Sequence, residues 1–182
     1  MTAEPRRLPG DPDAAELVRR MIRVDHAGEY GAKRIYDGQL WVLGRSPAAA
    51  EIRRMAEQEE RHLAAFDALV ARHRVRPTLL SPLWHVAGFA LGAASALLGE
   101  RAAMACTVAV EEVIDEHYGR QSETLGEAEP ELKAAIDDFR RDERAHRDIG
   151  LAHGAESAPA YPLLSAAIKA GSRLAIWLST RI

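Results

Sequence analysis

Four glutamates that lie in the middle of apolar stripes constrain this chain more than any other feature. Residues three, four or seven positions apart share one face of a helix. Glu29, Glu59, Glu111 and Glu143 each lie at the centre of such a stripe, on four different predicted helices. A buried, unpaired carboxylate is very costly, and four that face one another cost more. These acids must therefore take up protons or bind cations.

The positions of the histidines favour bound cations over protonation of the four glutamates. Of the seven histidines, only His62 and His146 follow an acid by three residues, as Glu59-x-x-His62 and Glu143-x-x-His146. Positions i and i+3 lie on one helical face, so each pair can bind the same ion. The order E…ExxH…E…ExxH is the ligand set of carboxylate-bridged di-iron and di-manganese helix bundles. The predicted metal ligands are Glu29, Glu59, His62, Glu111, Glu143 and His146.

The spacing divides these ligands into two equivalent halves. Each half fits a glutamate in one helix, a turn, and an ExxH pair on the antiparallel neighbour. Four carboxylates carry four negative charges, which two divalent ions would neutralise. Carboxylate oxygens with two imidazoles suit Fe or Mn, and the single cysteine, Cys106, excludes a zinc site built on thiolates. Ferritins, manganese catalases and oxygenases share this pattern, so it predicts the cofactor class and not the reaction.

Start and stop signals predict six helices with short loops, and no segment alternates with period two for long enough to be a strand. Ser46-Pro47 and Ser81-Pro82 each place a capping serine before a proline at the first helical position. The predicted helices span residues 13–43, 47–74, 82–98, 100–125, 130–153 and 162–179. This pattern predicts an all-α protein with one domain over residues 13–182, preceded by a short disordered arm, residues 1–12.

Composition excludes several other classes of protein. The net charge is −3 and no basic block is present, which argues against nucleic acid as a partner. A 47% hydrophobic content is too high for a disordered chain. The first thirteen residues contain no apolar segment, so they do not form a secretory signal.

Four segments resemble one enzyme family. They are RVDHAGEYGA at residues 23–32, EQEERHL at 57–63, ACTVAVEE at 105–112 and DERAHRDIG at 142–150. Together they resemble the demethoxyubiquinone hydroxylases (5-demethoxyubiquinone monooxygenases) of ubiquinone biosynthesis, and the likeness extends from about residue 13 to the C terminus. The resemblance implies a ferritin-like four-helix bundle with two additional helices. It assigns the same six metal ligands as the stripes do.

The resemblance also implies a reaction. The enzyme would hydroxylate the ring of a polyprenylated demethoxyubiquinol, 2-polyprenyl-3-methyl-6-methoxy-1,4-benzoquinol, with O₂ as co-substrate. The implied cofactor is two iron ions per chain, Fe²⁺ or Fe³⁺, with an external reductant for which NADH is one candidate. No Gly-x-Gly-x-x-Gly fingerprint for a nicotinamide is present. Other proteins of ubiquinone biosynthesis are candidate partners.

No catalytic residue beyond the metal ligands is predicted. Tyr118 and Asp25 lie on the helical faces that carry Glu111 and Glu29, and are candidates to support the ligands. For Tyr118, an electron relay and a plain core position are the alternatives.

Two segments predict a peripheral membrane protein. Residues 77–99 contain no charged side chain, and residues 157–182 contain no acid but include Lys169, Arg173 and Arg181. A monotopic association on the cytoplasmic side of an inner membrane fits these features. The targeting extension of the mitochondrial members is missing, which favours a bacterial protein. The alternative for residues 77–99 is the most buried helix of the bundle.

The sequence pattern also allows two other functions. The first is a different ferritin-like di-metal activity, such as iron oxidation, iron storage or a peroxidase. The second is a non-enzymatic scaffold that binds a quinone or lipid and has no metal. The uncharged third helix and the cationic C-terminal segment argue against iron storage, which needs a soluble assembling shell.

Overall fold

The computed structural model describes residues 12–182 and contains six α-helices and one short 3₁₀ helix, Ala155–Ser157. The α-helices are α1 Ala14–Leu43, α2 Ala49–Arg72, α3 Ser81–Leu97, α4 Glu100–Leu125, α5 Pro130–Ala152 and α6 Tyr161–Ser179. No strand occurs in this part of the chain, so the all-α prediction is confirmed. The predicted N-terminal arm, apart from Pro12, lies outside the described residues.

The helix boundaries agree with the predicted ones within two residues, but the two serine caps are wrong. Ser46 lies in a turn before α2: its backbone N–H donates to Leu43 O (2.8 Å), and its carbonyl accepts from Ala49 N (3.1 Å). Helix α2 therefore begins at Ala49, after this turn, and Ser46 is not its N-cap. Ser81 lies inside α3, and its hydroxyl donates to the carbonyl of Thr78 (2.9 Å). Asp13 does cap α1, since its side chain accepts from Glu16 N at 2.6 Å.

Helices α1, α2, α4 and α5 form a four-helix bundle of the ferritin-like kind, with α3 packed along α1 and α6 packed along α4. The short loops after α1 and α4 make the pairs α1–α2 and α4–α5 antiparallel hairpins. Each half of the chain thus contributes one hairpin and one outer helix. The most buried helix is α4, in which residues 102–111 are all buried.

The alternative that residues 77–99 form the most buried helix is wrong. Only small residues of α3 are buried, namely Gly88, Gly92, Ala93, Ser95 and Ala96. All but two of the exposed large hydrophobic side chains lie on α3, on α6 or in residues that flank them. No helix of residues 12–182 is both long and apolar enough to cross a bilayer.

Helices α1 and α3 approach closely because glycine lies at their contact. A Cβ atom at Gly92 would lie 1.9 Å from the carbonyl oxygen of Ile35, and one at Gly38 would lie 2.2 Å from that of Phe89. Both distances are impossible for a side chain, so the two backbones would have to separate. This contact fixes α3 on the outer side of α1.

We expect Gly92→Ala to lower the free energy of unfolding by about 1–3 kcal/mol, because the added methyl group forces α1 and α3 apart. Gly171→Ala, in α6, is the matched control: its Cβ meets nothing within 4 Å. That change should stabilise the protein by up to about 1 kcal/mol through helix propensity. Chemical denaturation of both variants measures the difference, and equal effects would contradict the close contact.

Candidate metal centre

The six predicted ligands meet in the centre of the four-helix bundle. Helix α1 contributes Glu29 and α4 contributes Glu111, while the ExxH pairs come from α2 and α5. None of the six is more than 3% exposed. Because the helices of each hairpin run antiparallel, glutamates at the middle of each helix reach the same level of the bundle.

The six side chains form two overlapping groups, and within each group one possible ligand atom per residue lies within 4.8 Å of every other. The groups are Glu29, Glu59, His62 and Glu143, and Glu59, Glu111, Glu143 and His146. Glu59 and Glu143 belong to both. The carboxylate of Glu143 lies between the two imidazoles, 3.2 Å from His62 Nδ1 and 3.2 Å from His146 Nδ1. This arrangement has the form of a carboxylate-bridged pair of metal positions.

Buried polar atoms without hydrogen bonds mark the same place. Seven such atoms belong to the six residues and find no hydrogen-bond partner among the described residues. They are Glu29 Oε2, both carboxylate oxygens of Glu59, His62 Nδ1, Glu111 Oε2, Glu143 Oε2 and His146 Nδ1. Buried polar atoms in native proteins are nearly always satisfied. Two bound cations would satisfy these atoms together, so the donor set fits a di-metal site.

Each imidazole is oriented by a partner on the opposite ExxH helix. His62 Nε2 donates to Asp142 Oδ2 (3.1 Å), and His146 Nε2 donates to Gln58 Oε1 (3.0 Å). Because each Nε2 carries the donated proton, each Nδ1 is free to coordinate a metal.

Glu29 and Glu111 each belong to only one of the two groups, and each accepts a hydrogen bond from a tyrosine. Tyr36 donates to Glu111 Oε1 at 2.8 Å, and Tyr118 donates to Glu29. The predicted supporting role of Tyr118 thus has a structural basis, although the glutamate it contacts lies on α1. Sequence reasoning missed Tyr36 and assigned no role to Gln58. The repeated Glu-x₆-Tyr spacing, Glu29 to Tyr36 and Glu111 to Tyr118, was the signal that could have found Tyr36.

Asp25, the other predicted supporting residue, bonds to α4. Its Oδ1 accepts from His117 Nε2 (2.9 Å) and from Gln121 Nε2 (2.8 Å). It therefore ties α1 to α4 one helical turn before Glu29. Among the neighbouring acids, Glu60 is exposed and Glu112 pairs with Lys169.

Without bound cations, several of these groups would carry protons. Burial raises the pKa of Glu59 and Glu111 well above the usual carboxyl value, and the charge of Glu143 adds to the shift. Burial would also raise the pKa of Glu143, but the nearby imidazoles of His146 and His62 outweigh it and lower the value to about 2. Burial lowers the pKa of His62, yet the carboxylates of Glu143 and Glu29 raise it overall to about 12.

Comparison with known proteins places the chain in a family. The family model described as ubiquinone biosynthesis protein COQ7 matches residues 16–179. The chain belongs to the COQ7 family. The membership predicted from the four motifs is thereby confirmed.

Relatives in the COQ7 family carry consistent names. The 3-demethoxyubiquinol 3-hydroxylase of Rhodospirillum rubrum is 65% identical over all of this chain and 85% of its own length. The mitochondrial NADPH-dependent 3-demethoxyubiquinone 3-hydroxylase of Homo sapiens is 57% identical, covering 91% of this chain and 78% of its own. The mitochondrial 5-demethoxyubiquinone hydroxylase of Saccharomyces cerevisiae is 40% identical, covering 92% of this chain and 79% of its own length.

We expect metal binding to release protons and to tighten as pH rises toward the raised pKa values of Glu59, Glu111 and His62. Carboxylates with raised pKa values and protonated imidazoles must lose their protons before they can coordinate a cation. Calorimetric titration of the metal-free protein with Co²⁺, in buffers of different ionisation enthalpy, counts the protons released. Glu111→Gln removes one of these protons and is expected to release fewer. An uptake that does not depend on pH would contradict this protonation scheme.

Proposed function

We propose that this protein is a di-iron, O₂-dependent demethoxyubiquinol hydroxylase of ubiquinone biosynthesis. The observation that carries the proposal is the buried cluster of four glutamates and two histidines, in two overlapping groups. The comparisons support the proposal, because the chain belongs to a family whose relatives are named demethoxyubiquinol or demethoxyubiquinone hydroxylases.

The proposed reaction breaks a ring C–H bond of a polyprenylated demethoxyubiquinol and forms a C–OH bond. One oxygen atom of O₂ enters the ring and the other leaves as water, which consumes two electrons from an external reductant and two protons. When bound, a pair of redox-active ions would supply electrons to O₂, and the carboxylate and imidazole donors suit iron. NADH and NADPH are the candidate reductants, and the names of several relatives include NADPH.

The protein's own residues keep this centre dry and in position. Tyr36 and Tyr118 each hold one glutamate by a hydrogen bond, while Asp142 and Gln58 hold the two imidazoles. The six ligands are buried, which excludes bulk water from the reaction of O₂.

An apolar cavity of about 420 Å³ lies between α1, α3, α4 and α6 and is the proposed substrate site. Its lining includes Gly28, which precedes Glu29, and Val110, which precedes Glu111. The lining also includes Leu91 and two glycines, Gly31 and Gly171, which contribute no polar side chain. Such a lining suits a benzoquinol ring with a hydrocarbon tail.

We expect the anaerobically prepared protein to bind about two iron ions per chain and to add one oxygen atom to demethoxyubiquinol. With ¹⁸O₂, the product should carry the label, because the oxygen comes from O₂ and not from water. Glu111→Ala and His146→Ala should lose iron and turnover. Mass spectrometry of the quinol and metal analysis of the protein measure these outcomes, with NADH and NADPH compared as reductants.

Matched variants separate the alternatives. Glu60→Gln, at an exposed acid next to Glu59, should keep both iron and activity. Gly171→Leu should raise KM with unchanged iron content, because Gly171 lines the cavity and a larger side chain there would reduce the space for substrate. Iron oxidation without ring hydroxylation would favour the iron-oxidising function, and a folded, active protein without metal would refute the proposed mechanism.

We further propose that α3 and α6 rest on a membrane surface, on the cytoplasmic side of a bacterial inner membrane, where a polyprenyl substrate is found. Leu83 and Val86 on α3 and Leu174 and Trp177 on α6 expose large apolar side chains. Both helices also line the cavity. The apolar faces support the proposal more than charge does, since Lys169 and Arg173 pair with acids of α4.

We expect the protein to float with phosphatidylcholine vesicles, and adding anionic lipid should strengthen binding only modestly. Leu83→Glu combined with Val86→Glu should abolish flotation, because two carboxylates would enter the bilayer interface. Leu151→Glu, at an exposed leucine of α5, is the control and should float like the natural protein. Flotation of the double variant would contradict the assignment of this face.

A further inference from the structure

The two metal positions are related by an approximate two-fold symmetry within one chain. Each position has one glutamate of its own, one histidine, and the two shared glutamates Glu59 and Glu143. Each unshared glutamate accepts a tyrosine hydroxyl from the other half of the chain. The direct ligands therefore give the two positions the same chemistry.

The symmetry breaks at the partners of the imidazoles. The residue before the glutamate of each ExxH pair hydrogen-bonds the histidine on the opposite helix. On α5 that residue is Asp142, an acid, and on α2 it is Gln58, a neutral amide. His62 thus donates to a carboxylate at 3.1 Å, whereas His146 donates to an amide oxygen at 3.0 Å.

We propose that this exchange of carboxylate for amide makes the two positions unequal, so that the position beside His62 binds metal more tightly than the one beside His146. The inference rests on the proposed di-metal function. A carboxylate acceptor makes the opposite ring nitrogen a stronger donor of electrons to a cation, and a charge-assisted hydrogen bond holds the ring more firmly than a neutral one. Asp142 and Gln58 are positioning residues, because they act through the histidines.

The expected difference is modest. Partners of metal-bound histidines change affinity by about 10- to 100-fold when they are mutated. The side chain of Asp142 is 37% exposed, so solvent screens its charge and the effect belongs at the lower end, about 10-fold. Asp25 also lies in the half of Glu29, but among the described residues its hydrogen bonds go to His117 and Gln121 and to none of the six ligands.

Titration of the metal-free, full-length protein with Co²⁺ tests the proposal, followed by calorimetry and by the visible absorption of bound cobalt. We expect two binding steps that differ about 10-fold in affinity. Asp142→Asn should weaken the tighter step to about the level of the weaker one, and Asp142→Glu should restore it. Gln58→Glu should tighten the weaker step. Circular dichroism of each metal-free variant verifies that the fold is kept.

Asp138→Asn is the matched control, because it removes the same charge from the exposed face of the same helix, where Asp138 pairs with Arg141. It should leave both steps unchanged, and an effect equal to that of Asp142→Asn would overturn the proposal. Crystals grown with one equivalent of Co²⁺ assign the sites: anomalous density should be stronger beside His62. Equal density or equal affinities at the two positions would overturn the proposed inequality but would still support a di-metal site. No binding of Co²⁺ at all would refute the proposed function as well.

Discussion

The electrostatic cost of burying four carboxylates and two imidazoles in one core governs the rest of this structure. Unpaired ions in an apolar interior are destabilising by several kcal/mol each, in order of magnitude. The raised pKa values of Glu59 and Glu111 favour their neutral forms, and the pairing of Glu143 with both imidazoles offsets its charge. Metal ions would take over that neutralisation. The polar core is thus stable only as a unit, and its symmetry follows from the two hairpins that build it.

Hydrogen bonds from outside the cluster give it a defined shape. Each tyrosine and each imidazole partner reaches from one half of the chain to a ligand in the other half. These crossed contacts hold α1 to α4 and α2 to α5 at the level of the ligands. The same crossing makes the exchange of Asp142 for Gln58 visible, because the two tyrosine contacts are counterparts of each other in the two halves.

The two outer helices serve a different purpose. Glycine contacts set α3 directly on the backbone of α1, which leaves the larger side chains of α3 on the outside. At one end, Trp84 Nε1 of α3 donates to Ser179 Oγ of α6 at 3.0 Å, so the two outer helices are linked. Together they border an apolar cavity beside the helices that carry Glu29 and Glu111. The proposals for the substrate site and for the membrane-facing surface both rest on this arrangement.

The sequence by itself determined the helices, the family and the six residues that meet in the core, because helical periodicity places a stripe and its glutamate on one face. It could not determine the capping of α2 or the burial of α3, since both depend on turns and on contacts between distant helices. Tyr36 looked like an ordinary member of an apolar stripe, and Gln58 like a surface residue. Only the tertiary structure paired them with Glu111 and His146, because their partners lie on other helices and no local pattern records which helices face each other.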